Sequence, residues 1–201
     1  MKILIATEFP LLIVKSLITH EDSLIFTNDS GTAISKLVKQ HKFDMIIVFG
    51  FGKILPECIT NNIRCINLHN GFLPFGRGPN PNLSSWINGE PHGITIHEID
   101  EGIDAGPIII QQQIHMDSSG YSLQTSFDYS IRCLADLFNN NWANIRNGNY
   151  TAKQQCGSGS FHTFHELNVI MHLIETFMDN PINELLSHIN KEFPGFRLEH
   201  K

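Results

Sequence analysis

Two stretches of this chain, KILIA at residues 2–6 and DMIIVFG at 44–50, are unbroken apolar runs rich in β-branched residues. A strand with one wet face alternates polar and apolar residues, so unbroken runs read as strands buried on both faces, the habit of parallel sheets covered by helices. SLIFTN (23–28) and CINLH (65–69) are weaker versions of the same pattern. Between SLIFTN and DMIIVFG, the segment GTAISKLVKQHKF puts Ile34, Leu37 and Val38 on one helical stripe. Residues 32–42 are long enough for the crossover that parallel strands require, which makes this a βαβ pattern.

The pattern continues downstream. Residues 80–88 read as a helix that starts at Asn80 or Pro81 and ends at Gly89. GITIHEI (93–99) and PIIIQQQIHM (107–116) read as two more strands around the polar turn DEGIDAG. After Gly120, Leu123, Phe127, Ile131, Leu134 and Leu137 fall at helical spacing, and Gly148 closes a long helix. Two further helical patterns, 167–177 and 182–189, are separated by Pro181, and GSGS (157–160) is the one flexible-looking junction. The expected fold is α/β, a doubly wound, mostly parallel Rossmann-like sheet flanked by helices. Residues 1–150 are expected to form the main domain, with 151–201 as a short helical C-terminal appendage.

Bulk properties narrow the partners. A chain of 201 residues fits one main domain with one sizeable core. A net charge of -6 with 17% charged residues and no run of five like charges argues against nucleic acid or an anionic membrane surface. The N-terminal segment lacks the charged leader and cleavage site of a secretory signal, and no apolar run is long enough to span a membrane. Cys58, Cys65, Cys133 and Cys156 form no CxxC pair, and the expectation is structural thiols in a reducing cytoplasm.

In a sheet of this kind, ligands bind beyond the carboxyl ends of the strands. Asn67 and His69 end one strand, two residues apart, so they face the same side. Asp104 arrives from the DEGID turn. An amide that can donate to an oxyanion, an imidazole that can move a proton near neutral pH and a carboxylate to orient it make an acyl-transfer set. Spacing alone equally allows Asn67 to cap a turn, His69 to be a satisfied core histidine and Asp104 to serve the turn.

Residues 67–111, NLHNGFLPFGRGPNPNLSSWINGEPHGITIHEIDEGIDAGPIIIQ, resemble the signature region of the formyltransferases that use 10-formyltetrahydrofolate. The shared features are Asn-x-His before a Leu-Pro loop, and then a Gly-x-x-x-His strand running into an Ile-Asp-x-Gly turn. VFGFGKILPECI resembles the pterin-side loop of that family, so the resemblance runs in order over roughly residues 1–115. It implies Asn67, His69 and Asp104 as the catalytic set. It also implies 10-formyltetrahydrofolate as co-substrate, its pterin enclosed by Phe51, Gly52, Lys53 and Leu55 on one side and by Ile99 and Ile103 on the other. His97 is expected to support the set, and Phe72 to Phe75 to wall out water that would hydrolyse the donor.

The resemblance also bears on the acceptor amine. The family's glycinamide ribonucleotide enzymes carry a Gly-x-Gly-Ser-Asn phosphate loop after the first strand, where this chain reads ATEFPLL. The initiator-tRNA enzymes carry a further C-terminal domain, whereas this sequence stops at Lys201 and is acidic. The branch that formylates nucleotide-linked amino deoxysugars shows an RGxxPN loop, an IDEGID turn and a later GS(F/Y)H segment. This chain has RGPNPN, IDEGIDAG and GSFH. The implied acceptor is a dTDP- or UDP-linked amino sugar used in glycan or lipopolysaccharide assembly, with Phe75, Arg77, Asn80 and His162 on its side of the site. Glycinamide ribonucleotide as acceptor, a non-catalytic nucleotide-sugar or folate module, and a metal-dependent hydrolase built on His69, His97 and Asp104 are the alternatives. No metal is expected, because HTFH and the His92, His97 pair lack a third ligand at a recognisable spacing. The apolar helices after Phe164 could supply a homodimer contact.

Overall fold

The structure, a computed structural model, describes residues 1–17, 22–29 and 31–198. It contains a six-stranded sheet in the order β2-β1-β3-β4-β5-β6. In chain order the elements are β1 (Lys2–Thr7), α1 (Pro10–Leu17), β2 (Ser23–Thr27), α2 (Gly31–Gln40), β3 (Met45–Phe49), α3 (Glu57–Thr60), β4 (Arg64–His69), α4 (Pro81–Asn88), β5 (Gly93–Glu98), β6 (Ile108–Gln113) and α5 (Leu123–Asn147). The tail adds α6 (Phe164–Leu167), a 3₁₀ turn (Asn168–Ile170), α7 (Met171–Phe177) and α8 (Ile182–Glu192). Strands β1 to β4 pair in parallel, and β5 runs antiparallel to β4. The expected mostly parallel α/β sheet is therefore present. Among the described residues, no helix is long and apolar enough to cross a membrane.

Burial follows position in the sheet. Every residue of the central β3 is buried, whereas β2 and β6 at the two edges carry exposed residues. That is why DMIIVFG reads so much more clearly than SLIFTN. Two short helices, α1 and α3, have no counterpart in the sequence reading. A proline marks the start of each, Pro10 opening α1 and Pro56 preceding α3. The single helical pattern expected at 167–177 is broken into a 3₁₀ turn and a helix.

The chain divides into two compact units, the first made of residues 1–69, 95–110 and 134–155, the second of 70–94, 111–133 and 156–201. This differs from the boundary expected at residue 150. In the first unit, Leu4 and Ala6 of β1, Ile46 and Val48 of β3 and Cys65 of β4 pack with Ile34 of α2, Phe43, Phe51, Leu55 and Ile59. In the second, Leu83 and Ile87 of α4 share one apolar cluster with Leu167, Ile170, Leu173, Ile174, Leu185, Ile189 and Leu198. The tail is thus no separate appendage. Its apolar stripes are too short to close a core alone, and they bury themselves against α4.

The GSGS stretch is also no loose junction. The Ser160 amide donates to the Pro74 carbonyl at 3.0 Å, the Arg77 amide to the Ser160 carbonyl at 3.0 Å and the His162 amide to the Arg77 carbonyl at 3.0 Å. Gly159 has φ +58°, and a Cβ there would stand 2.1 Å from the Pro74 carbonyl oxygen. The glycine is required by the close approach of two backbones, a demand that in sequence looks the same as flexibility.

Candidate active site

Strand β4 delivers Asn67 and His69 to the same face, and the antiparallel register sets His97 of β5 directly opposite Asn67 and Thr95 opposite His69. Four polar side chains thus meet at the carboxyl end of β4 because two strands alternate in phase. His69, Thr95 and His97 are buried. Asp104 reaches the group from the turn between β5 and β6, where it holds φ +49°. That left-handed conformation is unusual outside glycine, and aspartate is among the few residues that tolerate it.

The Asp104 carboxylate sits at the centre of the contacts. Its Oδ1 accepts from Asn67 Nδ2 at 2.9 Å and lies 3.4 Å from His97 Nε2, while Oδ2 lies 3.6 Å from His69 Nδ1. An ionised carboxylate only accepts, so the amide nitrogen of Asn67, not its oxygen, must face it. His97 is fixed from its other side. Its Nδ1 lies 2.7 Å from the Glu98 carbonyl, which can only accept, so Nδ1 carries the hydrogen. Nε2 is then an acceptor for the second Asn67 hydrogen, at 3.3 Å. Both donors of the Asn67 amide are therefore engaged, one by a strong charge-assisted bond and one by a long neutral bond.

The strand bearing His97 is braced. Arg64 donates to the Tyr150 hydroxyl at 2.6 Å and to the Ile145 carbonyl at 2.7 Å, and Tyr150 donates to Glu98 Oε1 at 2.8 Å. The turn bearing Asp104 is closed by the Ile99 amide on the Cys65 carbonyl, at 2.9 Å, and by the Gly102 amide on Asp100 Oδ1, at 3.0 Å. A Cβ on Gly106 would stand 1.9 Å from the Glu98 carbonyl oxygen, so the turn folds back onto its own strand at that point.

The two loops expected on the pterin side are in contact. Phe51 and Leu55 are buried in the first unit's core, and Ile99 packs against the same cluster. Ile54 and Ile103 remain 75% and 46% exposed, leaving apolar surface on both loops. A Cβ on Gly52 would meet nothing within 4 Å, so the chain beside it is open. Lys53 is drawn to the protein itself, donating to the Asn28 carbonyl at 2.6 Å with its ammonium 5.0 Å from the Phe51 ring centroid.

At the position where a phosphate loop would follow β1, the chain places an aromatic ring instead. Phe9 packs on Phe49 with centroids 5.4 Å apart, and Gly50 lies so close that a Cβ there would be 2.3 Å from the Phe9 ring. The Phe9 amide donates to Thr7 Oγ1 at 2.8 Å.

The residues expected to face the acceptor lie in the second unit. Phe75 and Arg77 are half-buried and Asn80 is exposed. The Arg77 guanidinium donates to the Ser158 carbonyl at 3.1 Å and the Ser160 carbonyl at 3.4 Å, so it ties its loop to the 158–160 segment. Asn80, at φ +54°, precedes α4 without a side-chain capping bond. His162 is fully buried, its Nε2 3.6 Å from Glu90 Oε1. With no exposed surface it ties the tail to the Glu90 carboxylate. Ser160 completes that tie, donating to Glu90 Oε2 at 3.0 Å and accepting from the Gly76 amide at 2.7 Å. Among the described residues, no group of three or more His, Cys, Asp and Glu could hold a metal ion.

The chain is 33% identical over 137 residues to a dTDP-4-amino-4,6-dideoxyglucose formyltransferase of Mycobacterium bovis, covering 67% of this chain and 56% of that protein. It is 37% identical over 125 residues to a methionyl-tRNA formyltransferase of Thermodesulfovibrio yellowstonii, covering 61% of this chain and 40% of that protein. The chain therefore spans about half the length of the curated relatives it matches. Among solved structures, the formyltransferase PseJ of Anoxybacillus kamchatkensis, in complex with UDP-4,6-dideoxy-4-formamido-L-AltNAc and tetrahydrofolate, superposes with a TM-score of 0.82 at 30% identity, covering 92% of this chain and 96% of that one. A 4-N formyltransferase of Francisella tularensis superposes with a TM-score of 0.69 at 25% identity, covering 84% of this chain and 78% of that one. Residues 12–128, which hold Asn67, His69, His97 and Asp104, match the formyl transferase family, and this chain belongs to it.

Proposed function

We propose that this chain transfers the formyl group of 10-formyltetrahydrofolate to the amino group of a nucleotide-linked amino deoxysugar. One observation carries the reading. The constellation of Asn67, His69 and Asp104 lies in a chain that resembles, over nearly its whole length and that of the other, a formyltransferase solved with a UDP-linked 4-formamido sugar and tetrahydrofolate. The Phe9 ring packed where a phosphate loop would lie supports a sugar nucleotide over glycinamide ribonucleotide.

The co-substrate supplies a formyl carbon bonded to nitrogen. In the transfer, a bond forms from the acceptor nitrogen to that carbon, the bond to the folate nitrogen breaks, and one proton moves from the acceptor nitrogen to the folate nitrogen. His69 carries that proton, and the Asp104 carboxylate, 3.6 Å from its Nδ1, closes on the imidazole as charge develops there. Negative charge at the formyl oxygen is met by protonated His69 and by Asn67. The Asn67 hydrogen that gives a long 3.3 Å bond to His97 is the one free to exchange for a charge-assisted bond, while the 2.9 Å bond to Asp104 keeps the amide aimed.

The test is incubation with 10-formyltetrahydrofolate and a panel of amines, watched by mass spectrometry for the formyl increment. The panel holds UDP- and dTDP-linked 4-amino and 3-amino deoxysugars, glycinamide ribonucleotide and methionyl-tRNA. Formylation of a sugar nucleotide is expected. Formylation of the ribonucleotide or the tRNA alone overturns the proposal.

A further inference from the structure

We infer that Gln155 is a positioning residue that holds the Asp104 turn in its working geometry; the inference rests on the role proposed for Asp104. The Gln155 amide nitrogen donates to the Asp104 carbonyl at 2.8 Å and to the Gly106 carbonyl at 2.9 Å. Two hydrogens on one nitrogen thus clasp the two carbonyls that flank Ala105. The orientation of the amide is forced, since a flip would set its oxygen against both carbonyls. Its Oε1 is buried without a hydrogen-bond partner in the structure, a cost borne to keep the nitrogen on the turn.

The turn needs such a clasp. Asp104 sits in the left-handed region at φ +49°, a conformation that persists where the surroundings impose it. Its carboxylate must meet Asn67 and His69 at once, so a small rotation of the backbone at Asp104 would cost both contacts. The clasp is itself anchored. Two residues before Gln155, Lys153 exchanges both backbone bonds with Ile108, each 2.8 Å, which fixes the segment beside the base of the hairpin. Gln155 acts through the backbone of the turn, at the Asp104 and Gly106 carbonyls.

The test uses Gln155→Glu, which keeps the shape and removes both donors, and Gln155→Met, which keeps the length without charge. Activity is measured with 10-formyltetrahydrofolate and whichever panel amine the wild-type chain formylates. The Asn67 side-chain amide is followed by ¹H–¹⁵N NMR in wild type, both variants and Asp104→Ala. We expect kcat to fall about tenfold to a hundredfold, with KM for both substrates and the melting temperature nearly unchanged. We also expect the Asn67 amide resonances to move in the direction they take in Asp104→Ala. Wild-type kcat, Asn67 resonances at their wild-type positions, or loss of the folded state in both variants overturns the inference. Wild-type turnover in Asp104→Ala overturns the proposed mechanism instead, and the NMR comparison reads the clasp whether or not any amine is formylated.

Discussion

His92 offers a perturbation whose size follows from the structure. Its imidazole lies against the Trp86 indole, with ring centroids 4.0 Å apart. Burial lowers its pKa from the ordinary 6.5 to about 4, against the opposing pull of the Glu90 carboxylate. The unfolded chain takes up this proton near pH 6.5 and the folded chain only near pH 4, so between those values the unfolded state binds more protons and stability falls as pH falls. The gap is worth at most about 3 kcal/mol. His92 is only partly buried, and screening by solvent brings the expected contribution to about 2 kcal/mol. Glu90 adds its own loss at lower pH. Burial raises its pKa, but hydrogen bonds from His162, Ser160 and Asn88 outweigh that and hold it below the ordinary value. Its contribution is present above the unfolded carboxyl range and disappears as pH falls through the folded one, beneath most of the His92 window. The assay is urea denaturation at about pH 7 and about pH 4.5, followed by Trp86 fluorescence in a Trp142→Phe background, for wild type and His92→Gln. Wild type should lose about 2 kcal/mol more than His92→Gln on acidification. Equal losses in the two proteins would refute the reasoning.

Other perturbations test the site and its scaffold. His69→Asn and Asp104→Ala should each lower kcat by roughly a hundredfold to ten-thousandfold while leaving the circular dichroism spectrum and melting temperature near wild type; near-native rates would sink the assigned roles. Gly106→Ala forces a Cβ to within 1.9 Å of the Glu98 carbonyl oxygen, so the turn must shift. A loss of about 2 kcal/mol or more in urea denaturation is expected, with turnover falling alongside because Asp104 moves. Gly159→Ala combines φ +58° with a Cβ 2.1 Å from the Pro74 carbonyl oxygen. It should undock the 158–162 segment and speed limited proteolysis there, and an unchanged cleavage pattern would count against a docked GSGS stretch.

Much of the site was legible because its chemistry is local. Asn67 and His69 share a face through strand alternation alone, and the IDEGID turn announces a carboxylate at Asp104. What the pattern could not convey is which hydrogen each group gives. The antiparallel pairing of β4 with β5 sets His97 against Asn67, and the Glu98 carbonyl then fixes the His97 tautomer. Gln155 carried no signal, because a glutamine in a polar stretch reads as a solvated loop residue whatever it touches. Glycines were misread for the opposite reason. Gly157 and Gly159 in GSGS look like slack, yet Gly159 marks a close approach of two backbones.

The amino-acid sequence by itself determined the α/β class, the order of the strands along the chain and the residue types of the candidate site, since these rest on periodicity and on neighbours a few positions apart. Only the tertiary structure decided which segments share a core, that His162 is buried on Glu90, and that Gln155 clasps the turn that carries Asp104. Those outcomes depend on pairs some fifty to seventy residues apart, such as Gln155 with Asp104 and His162 with Glu90. Their contact is set by the closing of the chain, and periodicity along the sequence holds no record of it.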